Sequence, residues 1–218
     1  MDFQQGLITT IHEYGIKGNL LKELNKKLKK RETAILIPCL YEEFERPALK
    51  DIREVLSELN GLNELVIALS AKSQEQVLAA KSFFESMPFP VHLQWTNSPS
   101  VIELLKSQEK NGLELLGTPG KGWAVWQGIG VATRKSEVVA LFDADIRTFS
   151  DSYPSRMILP LLDESFGISY VKAFYSRLSL ETNELQGRAT RLFVGPLLAS
   201  LEQLVGNGPF LQYLQSFR

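Results

Sequence analysis

Short apolar runs alternate with segments of helical periodicity along most of the 218-residue chain. A brief apolar run is typical of a buried strand, and apolar residues three and four positions apart are typical of an amphipathic helix. The sequence predicts strands over 34–40, 64–71, 91–96, 136–145 and 167–177. It predicts helices over 47–59, 73–87, 100–110, 123–134, 154–162 and 189–206. We therefore expect an α/β fold with a mostly parallel sheet flanked by helices.

Composition and charge exclude several classes of protein. Hydrophobic residues make up 44% of the chain and charged residues 22%, which is ordinary for a globular protein. The formal net charge of −1 does not indicate a nucleic-acid partner. Cys39 is the single cysteine, so the chain has neither an internal disulfide nor a cysteine cluster for zinc. No apolar run could cross a bilayer, and the first ten residues do not resemble a signal peptide, so we expect a cytoplasmic protein without a membrane partner.

The first 32 residues differ in pattern from the rest. Residues 20–32 form a basic amphipathic pattern with leucines at positions 20, 21, 24 and 28. The favoured interpretation is a solvated helix that packs its leucines on the protein, and the alternative is a helix on a membrane surface. We expect an N-terminal helical segment over 1–32 and one α/β domain over 33–218.

Two carboxylates follow the apolar run 138–142, as Asp143-Ala144-Asp145. Because the predicted strand runs to residue 145 and side chains alternate along a strand, we expect Asp143 and Asp145 to point to the same side. Converging carboxylates repel each other unless a cation lies between them. A metal site is one interpretation, and a turn or helix cap, where aspartate is also favoured, is the other.

Other polar and charged residues follow the predicted strands. Pro38, Cys39 and Glu43 come at or after the end of the first strand, and Ser70 ends the second. Lys121 lies between two glycines at the start of a helix. Ligands of an open α/β sheet bind at the carboxyl ends of its strands. Together with the two aspartates, these residues predict a nucleotide-diphosphate site.

Competing motifs do not fit their templates. The segment GTPGKGWA lacks the spacing of a P-loop, and GIGVAT lies inside a helix that precedes a strand, opposite to the dinucleotide-binding order. Cys39 has no expected base nearby and is interpreted as a core residue. His12 and His92 are interpreted as structural or exposed rather than as metal ligands.

The motifs taken in order resemble a known enzyme family. The series ILIPCLYEE, ELVIALSA, GKG, DAD, VKAFYSR and GRATRLFVGPLLASLEQLVG is similar to the glucosyl-3-phosphoglycerate synthases. That family consists of retaining glycosyltransferases with a Rossmann-like GT-A fold. The resemblance extends from about residue 34 to 206 and implies that 33–218 is a nucleotide-sugar-binding GT-A domain.

The resemblance implies roles for individual residues on the donor side. Lys121 would meet the diphosphate, Asp143 would hold the ribose or the sugar, and Asp145 would bind Mg²⁺ or Mn²⁺ directly, so these three are the expected catalytic residues. The expected nucleotide-sugar contacts are Pro38, Cys39, Glu43, Ser70, Lys121, Asp143 and Ala144. Ala144 stands where relatives can carry serine, and a backbone contact would survive that change.

The resemblance also implies an acceptor site and a reaction. Gly187, Arg188 and Thr190 would hold 3-phosphoglycerate, with Lys172 and Arg177 as alternative cations. The expected reaction transfers glucose from UDP-glucose to 3-phosphoglycerate with retention of configuration. The alternatives are transfer of mannose from GDP-mannose to the same acceptor and a non-catalytic nucleotide-sugar-binding module. A homodimer is plausible.

Family members continue well past position 218. We therefore expect a C-terminally truncated GT-A domain that lacks a late metal-binding histidine, with impaired activity.

Overall fold

The computed structural model describes residues 3–5, 8–10, 20–109, 120–173, 193 and 195–205. Its strands are β1 (Phe3–Gln5), β2 (Ile8–Thr10), β3 (Thr33–Leu40), β4 (Glu64–Ser70), β5 (Val91–Trp95) and β6 (Val138–Leu141). Its helices are α1 (Leu20–Leu28), α2 (Pro47–Ser57), α3 (Gln74–Phe83), α4 (Pro99–Glu109), α5 (Lys121–Ala132), α6 (Ser152–Leu162) and α7 (Gly195–Val205), with 3₁₀ turns at Tyr41–Glu45 and Glu164–Phe166. None of the helices in these ranges is long and apolar enough to cross a membrane.

Four parallel strands form a sheet in the order β5-β4-β3-β6. The central strand β3 pairs with β4 from Ala34↔Glu64 to Leu40↔Ser70, and with β6 from Thr33↔Val138 to Leu36↔Leu141. Every residue of β3 except Leu40 is buried. A strand covered on both faces must be apolar throughout, which explains why its sequence is a continuous apolar run. The predicted α/β fold with a parallel sheet is confirmed.

Helix α5 lies close against the middle of this sheet. Its small residues Ala124 and Ala132 belong to one buried cluster with Leu36 of β3 and Ala68 of β4. A Cβ atom built on Gly128 would lie 2.3 Å from Cδ1 of Leu36, so a glycine is needed for this approach. The glycine-containing segment that resembles a dinucleotide motif thus serves helix–sheet packing.

Helix α1 packs on the protein with its leucines, as the favoured interpretation predicted. Leu24 and Leu28 are buried, and α1 contacts α6. Lys27 Nζ lies 2.9 Å from Asp163 Oδ2, just past the end of α6. Arg31 follows α1 and donates to Glu137 Oε2 at 3.0 Å and to the Leu161 carbonyl at 2.8 Å. The apolar side of this basic helix is therefore covered by protein.

The N-terminal segment is helical only in part, because β1 and β2 form an antiparallel pair. Glycine at position 6 and the β-branched residues Ile8, Thr9 and Thr10 favour strand over helix there. Residues 17–171 form one compact unit, which contains α1 and the four-stranded sheet, and residues 1–16 with 172–218 form another. The predicted division between residues 32 and 33 stays a prediction.

Two predicted strands differ from the structure. Strand β6 ends at Leu141 and not at residue 145, because it pairs only with the first four residues of β3 and the chain then turns. Residues 167–173 are not a strand; Gly167 has a left-handed φ of 59° and ends a 3₁₀ turn. Residues 174–177 of that predicted strand lie outside the described residues. So does most of 189–194, and the described helix begins only at Gly195.

Candidate active site at the carboxyl edge of the sheet

The strand order reverses between β3 and β6. From β3 the chain moves outward to β4 and β5, and then crosses back to β6 on the other side of β3. Ligands of open α/β sheets bind where the strand order reverses in this way, outside the carboxyl ends of the strands. The residues that follow β3 and β6 are therefore the first candidates for a site.

The Asp143-Ala144-Asp145 segment lies in a turn after β6. The Phe142 amide donates to the Leu36 carbonyl at 3.0 Å, which keeps the chain beside β3 for one more residue. Asp143 is half-buried, Ala144 is buried and Asp145 is exposed. Asp143 and Asp145 therefore lie beyond the strand in which they were predicted, so alternation along a strand does not set the directions of their side chains. The two carboxylates have different surroundings.

Lys121 and Asp143 form an ion pair, with 2.5 Å between Nζ and Oδ1. The side chain of Lys121 is 60% exposed and that of Asp143 is 27% exposed, so both remain accessible to a ligand. The sequence places these residues 22 positions apart, and the fold brings them together because α5 starts at the edge where β6 ends. A cation and carboxylates at one edge are suited to a metal–diphosphate group.

Among the described residues, little surrounds the amino end of α5 beside Lys121. Gly120 is the N-cap residue and makes no side-chain capping bond, and a Cβ atom on Gly122 would meet no described atom within 4 Å. The first N–H groups of a helix lack partners within the helix and carry a partial positive charge. This end of α5 therefore presents the Lys121 ammonium together with backbone donors, an arrangement that suits phosphate oxygens.

Cys39 is a core residue, as the sequence indicated. It is 4% exposed, and burial raises the pKa of its thiol to about 12, with smaller contributions from the carboxylates of Glu43 and Glu42. A thiol with that pKa is almost entirely protonated near neutral pH. Pro38 beside it is also buried, whereas Leu40 is 56% exposed at the strand end.

Glu43 is buried in the 3₁₀ turn that follows β3. Its Oε1 accepts from Arg46 Nη1 at 2.7 Å, while its Oε2 is buried and has no hydrogen-bond partner in the described part of the chain. Glu42, its neighbour, pairs with Lys72 at 2.7 Å. The hydrogen bond with Lys72 is the main cause that lowers the pKa of Glu42, and the same bond raises the pKa of Lys72.

Sequence reasoning missed Arg46 and Lys72 beside this turn. The i, i+3 spacing of Glu43 and Arg46 was an available signal. The sequence contained no signal for the pairing of Glu42 with Lys72, because this pairing depends on the neighbouring positions of β3 and β4.

Ser70 lies at the same edge. It is the last residue of β4, is half-buried, and pairs in register with Leu40 of β3. The structure thus brings Pro38, Cys39, Glu43, Ser70, Lys121, Asp143, Ala144 and Asp145 to one edge of the sheet.

Gly187, Arg188, Thr190 and Arg177 lie outside the described residues, as does His12. Lys172 is described, and partial burial lowers its pKa. His92 is exposed on β5.

Comparison with known proteins identifies relatives over the whole chain. No model of a known protein family matches it. A glucosyl-3-phosphoglycerate synthase from Methanococcoides burtonii is 36% identical over 219 residues, covering 100% of this chain and 54% of the relative. The synthase of the same name from Persephonella marina is 32% identical over 222 residues, covering 99% of this chain and 54% of that relative. The chain is related to the glucosyl-3-phosphoglycerate synthases. It spans about half the length of the curated relatives it matches.

Solved structures of glucosyl-3-phosphoglycerate synthase agree in fold. The Mycobacterium tuberculosis enzyme in complex with Mn²⁺, UDP and glucosyl-3-phosphoglycerate has a TM-score of 0.56 and 22% identity, covering 90% of this chain and 58% of that one. Its complex with Mn²⁺, UDP-glucose and phosphoglyceric acid has a TM-score of 0.57 and 22% identity, covering 88% of this chain and 58% of that one. The resemblance of the sequence motifs to the glucosyl-3-phosphoglycerate synthases is confirmed. The expected glycosyltransferase fold is confirmed as well.

Proposed function

We propose that this protein transfers glucose from UDP-glucose to 3-phosphoglycerate with retention of configuration, and that residues 33–218 bind the donor. The observation that carries the proposal is the ion pair of Lys121 and Asp143 at the carboxyl edge of the sheet, where the strand order reverses between β3 and β6. Similarity to two curated glucosyl-3-phosphoglycerate synthases along the whole chain supports it. No observation favours GDP-mannose as the donor.

The nucleoside would lie over the ends of β3 and β4. Pro38, Cys39 and Glu43 would line uracil and ribose, and Ser70 would contact the base. The unpartnered Oε2 of Glu43 supports this placement, because a buried carboxylate oxygen without a donor is unfavourable until a ligand N–H or O–H reaches it. Leu40 adds exposed apolar surface beside these residues.

The diphosphate would lie at the amino end of α5. Lys121 and the first N–H groups of the helix would stabilise the negative charge that develops on departing UDP. Asp143 would orient the ribose or the sugar and, through its ion pair, hold Lys121 in place. The backbone of Ala144 would contact the donor between the two aspartates.

The residues present fit Mg²⁺ or Mn²⁺. In the part of the chain that the structure describes, no group of three or more His, Cys, Asp or Glu could hold a metal by itself. Hard divalent cations are commonly held by one or two carboxylates together with substrate phosphates and water. Asp145, exposed beside the diphosphate position, would be the direct ligand. A bound cation would supply neutralisation of the leaving diphosphate.

The acceptor hydroxyl would attack the anomeric carbon from the face that UDP leaves; the bond from that carbon to the diphosphate oxygen would break, and the hydroxyl proton would pass to that departing oxygen. Cys39, the thiol at the described edge of the sheet, is held protonated by burial, so it does not suit a covalent mechanism. Gly187, Arg188 and Thr190 would hold the phosphate of 3-phosphoglycerate through a guanidinium, backbone N–H groups and a hydroxyl. This front-face geometry retains the configuration of the sugar.

Calorimetry followed by a product assay tests the proposal. The chain should bind UDP and UDP-glucose in the presence of Mn²⁺, bind GDP-mannose more weakly, and form glucosyl-3-phosphoglycerate from UDP-glucose slowly. Binding without any product even in long incubations would favour a non-catalytic module, and preference for GDP-mannose would overturn the donor assignment. A homodimer is also part of the proposal, and sedimentation analysis would measure its mass.

A further inference from the structure

The carbonyl of Thr96, just after β5, accepts two side-chain hydrogen bonds from α5. Trp123 Nε1 donates at 3.1 Å and Gln127 Nε2 donates at 3.0 Å. The two donors are four residues apart and therefore lie on the same face of the helix. Thr96 is itself fixed to β4, because its amide and its hydroxyl donate to the Leu69 carbonyl at 2.9 and 3.0 Å. These bonds connect the carboxyl ends of β4 and β5 to the first two turns of α5.

The bond from Gln127 is buried, the bond from Trp123 is partly buried, and the orientation of the Gln127 amide is fixed. Thr96 is 2% exposed and Gln127 is 9% exposed. Gln94 on β5 donates to Gln127 Oε1 at 3.2 Å, so the amide nitrogen of Gln127 is directed to Thr96. A hydrogen bond shielded from water is costly to lose, because water cannot replace the missing donor.

We propose that Trp123 and Gln127 are positioning residues for Lys121. Lys121 lies six residues before Gln127, about 9 Å along the helix axis. Gly120 and Gly122, its immediate neighbours, offer no side chain that could fix the first turn. The bonds to Thr96 therefore hold the amino end of α5 over the sheet edge, while Gly128 and the alanines pack the rest of the helix.

The consequence concerns nucleotide affinity and rests on the proposed function. Lys121 must approach the diphosphate closely, and small displacements of a positioning group have large effects. If the Thr96 bonds are lost, α5 still packs on the sheet, but its first turn is less ordered and Lys121 is less often in place. Removing either donor should thus weaken UDP binding through Lys121.

Two variants and a matched control test this inference. Gln127→Met removes the amide at similar volume, and Trp123→Phe removes only the indole N–H and keeps an aromatic ring. Asn63→Ala is the control, since Asn63 Nδ2 also makes two bonds, both 2.9 Å, to Lys135 O and Ser136 Oγ at the amino end of the sheet. Amide hydrogen exchange over residues 120–126 is measured without ligand, and UDP affinity with Mn²⁺ is measured with Lys121 present and in the Lys121→Ala background.

In both variants we expect amide hydrogen exchange at the amino end of α5 to be about threefold faster or more, and in the control we expect it to be unchanged. The dissociation constant of UDP should rise about threefold to tenfold when Lys121 is present, and by less than about twofold in the Lys121→Ala background. Unchanged exchange, or an equal loss of affinity in both backgrounds, would overturn the inference. Absence of UDP binding by the unmodified chain would instead overturn the proposed function and the role of Lys121 at the diphosphate, whereas the exchange result would still decide whether Thr96 anchors α5.

Discussion

At the scale of single residues, Asp143 and Asp145 show how two positions in one turn acquire different chemistry. Asp143 is half-buried and already paired with an ammonium group, whereas Asp145 is exposed. A carboxylate with a protein cation beside it gains less from a metal than an unshielded carboxylate does. This difference supports the proposed roles, in which Asp145 would bind the metal and Asp143 would orient Lys121.

Asp145→Asn should remove most of the metal dependence of nucleotide binding. The amide keeps the shape of the side chain and removes its charge, so UDP affinity with Mn²⁺ should fall about tenfold or more. UDP affinity measured with a chelator should stay the same, as should the urea midpoint. Asp51→Asn, at an exposed position on α2, is the control. If calorimetry finds the same Mn²⁺ dependence in both variants, the turn interpretation of this motif is the correct one.

Cys39 should resist alkylation in the folded protein. With a thiol pKa of about 12, the thiolate population at pH 8 is far below that of a free cysteine, and burial also blocks access. Labelling by iodoacetamide, followed by mass spectrometry, should be at least about a hundredfold slower in buffer than in urea. Equal rates in the two solvents would show that the end of β3 is not packed as described.

At the scale of secondary-structure elements, Gly128 and Gly130 form a matched pair on α5. In Gly128→Ala the new methyl group would meet Leu36 at 2.3 Å and Ala68 at 3.2 Å in a buried cluster. Such overpacking should lower the free energy of unfolding by about 1–3 kcal/mol. In Gly130→Ala nothing lies within 4 Å, so the better helix propensity of alanine should raise it by up to about 1 kcal/mol. Urea denaturation of both variants measures the difference, and equal effects would contradict the close approach of α5.

The stability that Asp163 contributes where α1 meets the end of α6 should depend on pH. Hydrogen bonds from Ser165, and next the contact with Lys27, lower the pKa of Asp163 from its ordinary value of 3.8 to about 2. Because the unfolded state binds the proton more readily, the ionised Asp163 with its bonds to Ser165 and Lys27 stabilises the fold above about pH 4, and this stabilisation is lost as the pH falls to about 2.

Urea midpoints measured across this pH range check the expectation. Asp163→Asn should flatten that part of the stability curve, while Glu164→Gln at the exposed neighbouring position should not. If the urea midpoint changes with pH equally in Asp163→Asn and in the unmodified chain, the lowered pKa of Asp163 is contradicted.

The same elements show what the sequence could and could not predict. Strands β3 and β4 can be predicted from their apolar runs because both faces of these strands are buried. The end of β6 cannot be predicted in this way, since it depends on how far β3 lies beside it. The approach of Lys121 to Asp143 could be expected, because a helix start and a strand end share one edge. The bonds of Trp123 and Gln127 to Thr96 could not, since they join residues 27 and 31 positions apart through side-chain geometry alone.

At the scale of the whole molecule, the strand order determines where chemistry can occur. The strand order reverses between β3 and β6, and the segments that follow these two strands, with the start of α5, bring apolar, cationic and carboxylate groups to that edge. Within the described residues these groups make up the donor side of the proposed site. The proposed acceptor residues, Gly187, Arg188 and Thr190, lie outside them.

The last prediction separates donor binding from transfer in these 218 residues. The curated relatives use about twice this length, and catalysis requires the acceptor hydroxyl to be held close to the anomeric carbon. We expect these residues alone to bind UDP in a Mn²⁺-dependent way and to transfer glucose at least about a hundredfold more slowly than a full-length relative assayed in parallel. Lys121→Ala should reduce the binding, which shows that it occurs at the proposed site. Turnover comparable to that of the relative would show that the donor half, together with residues 172–218, already holds the acceptor in a productive position.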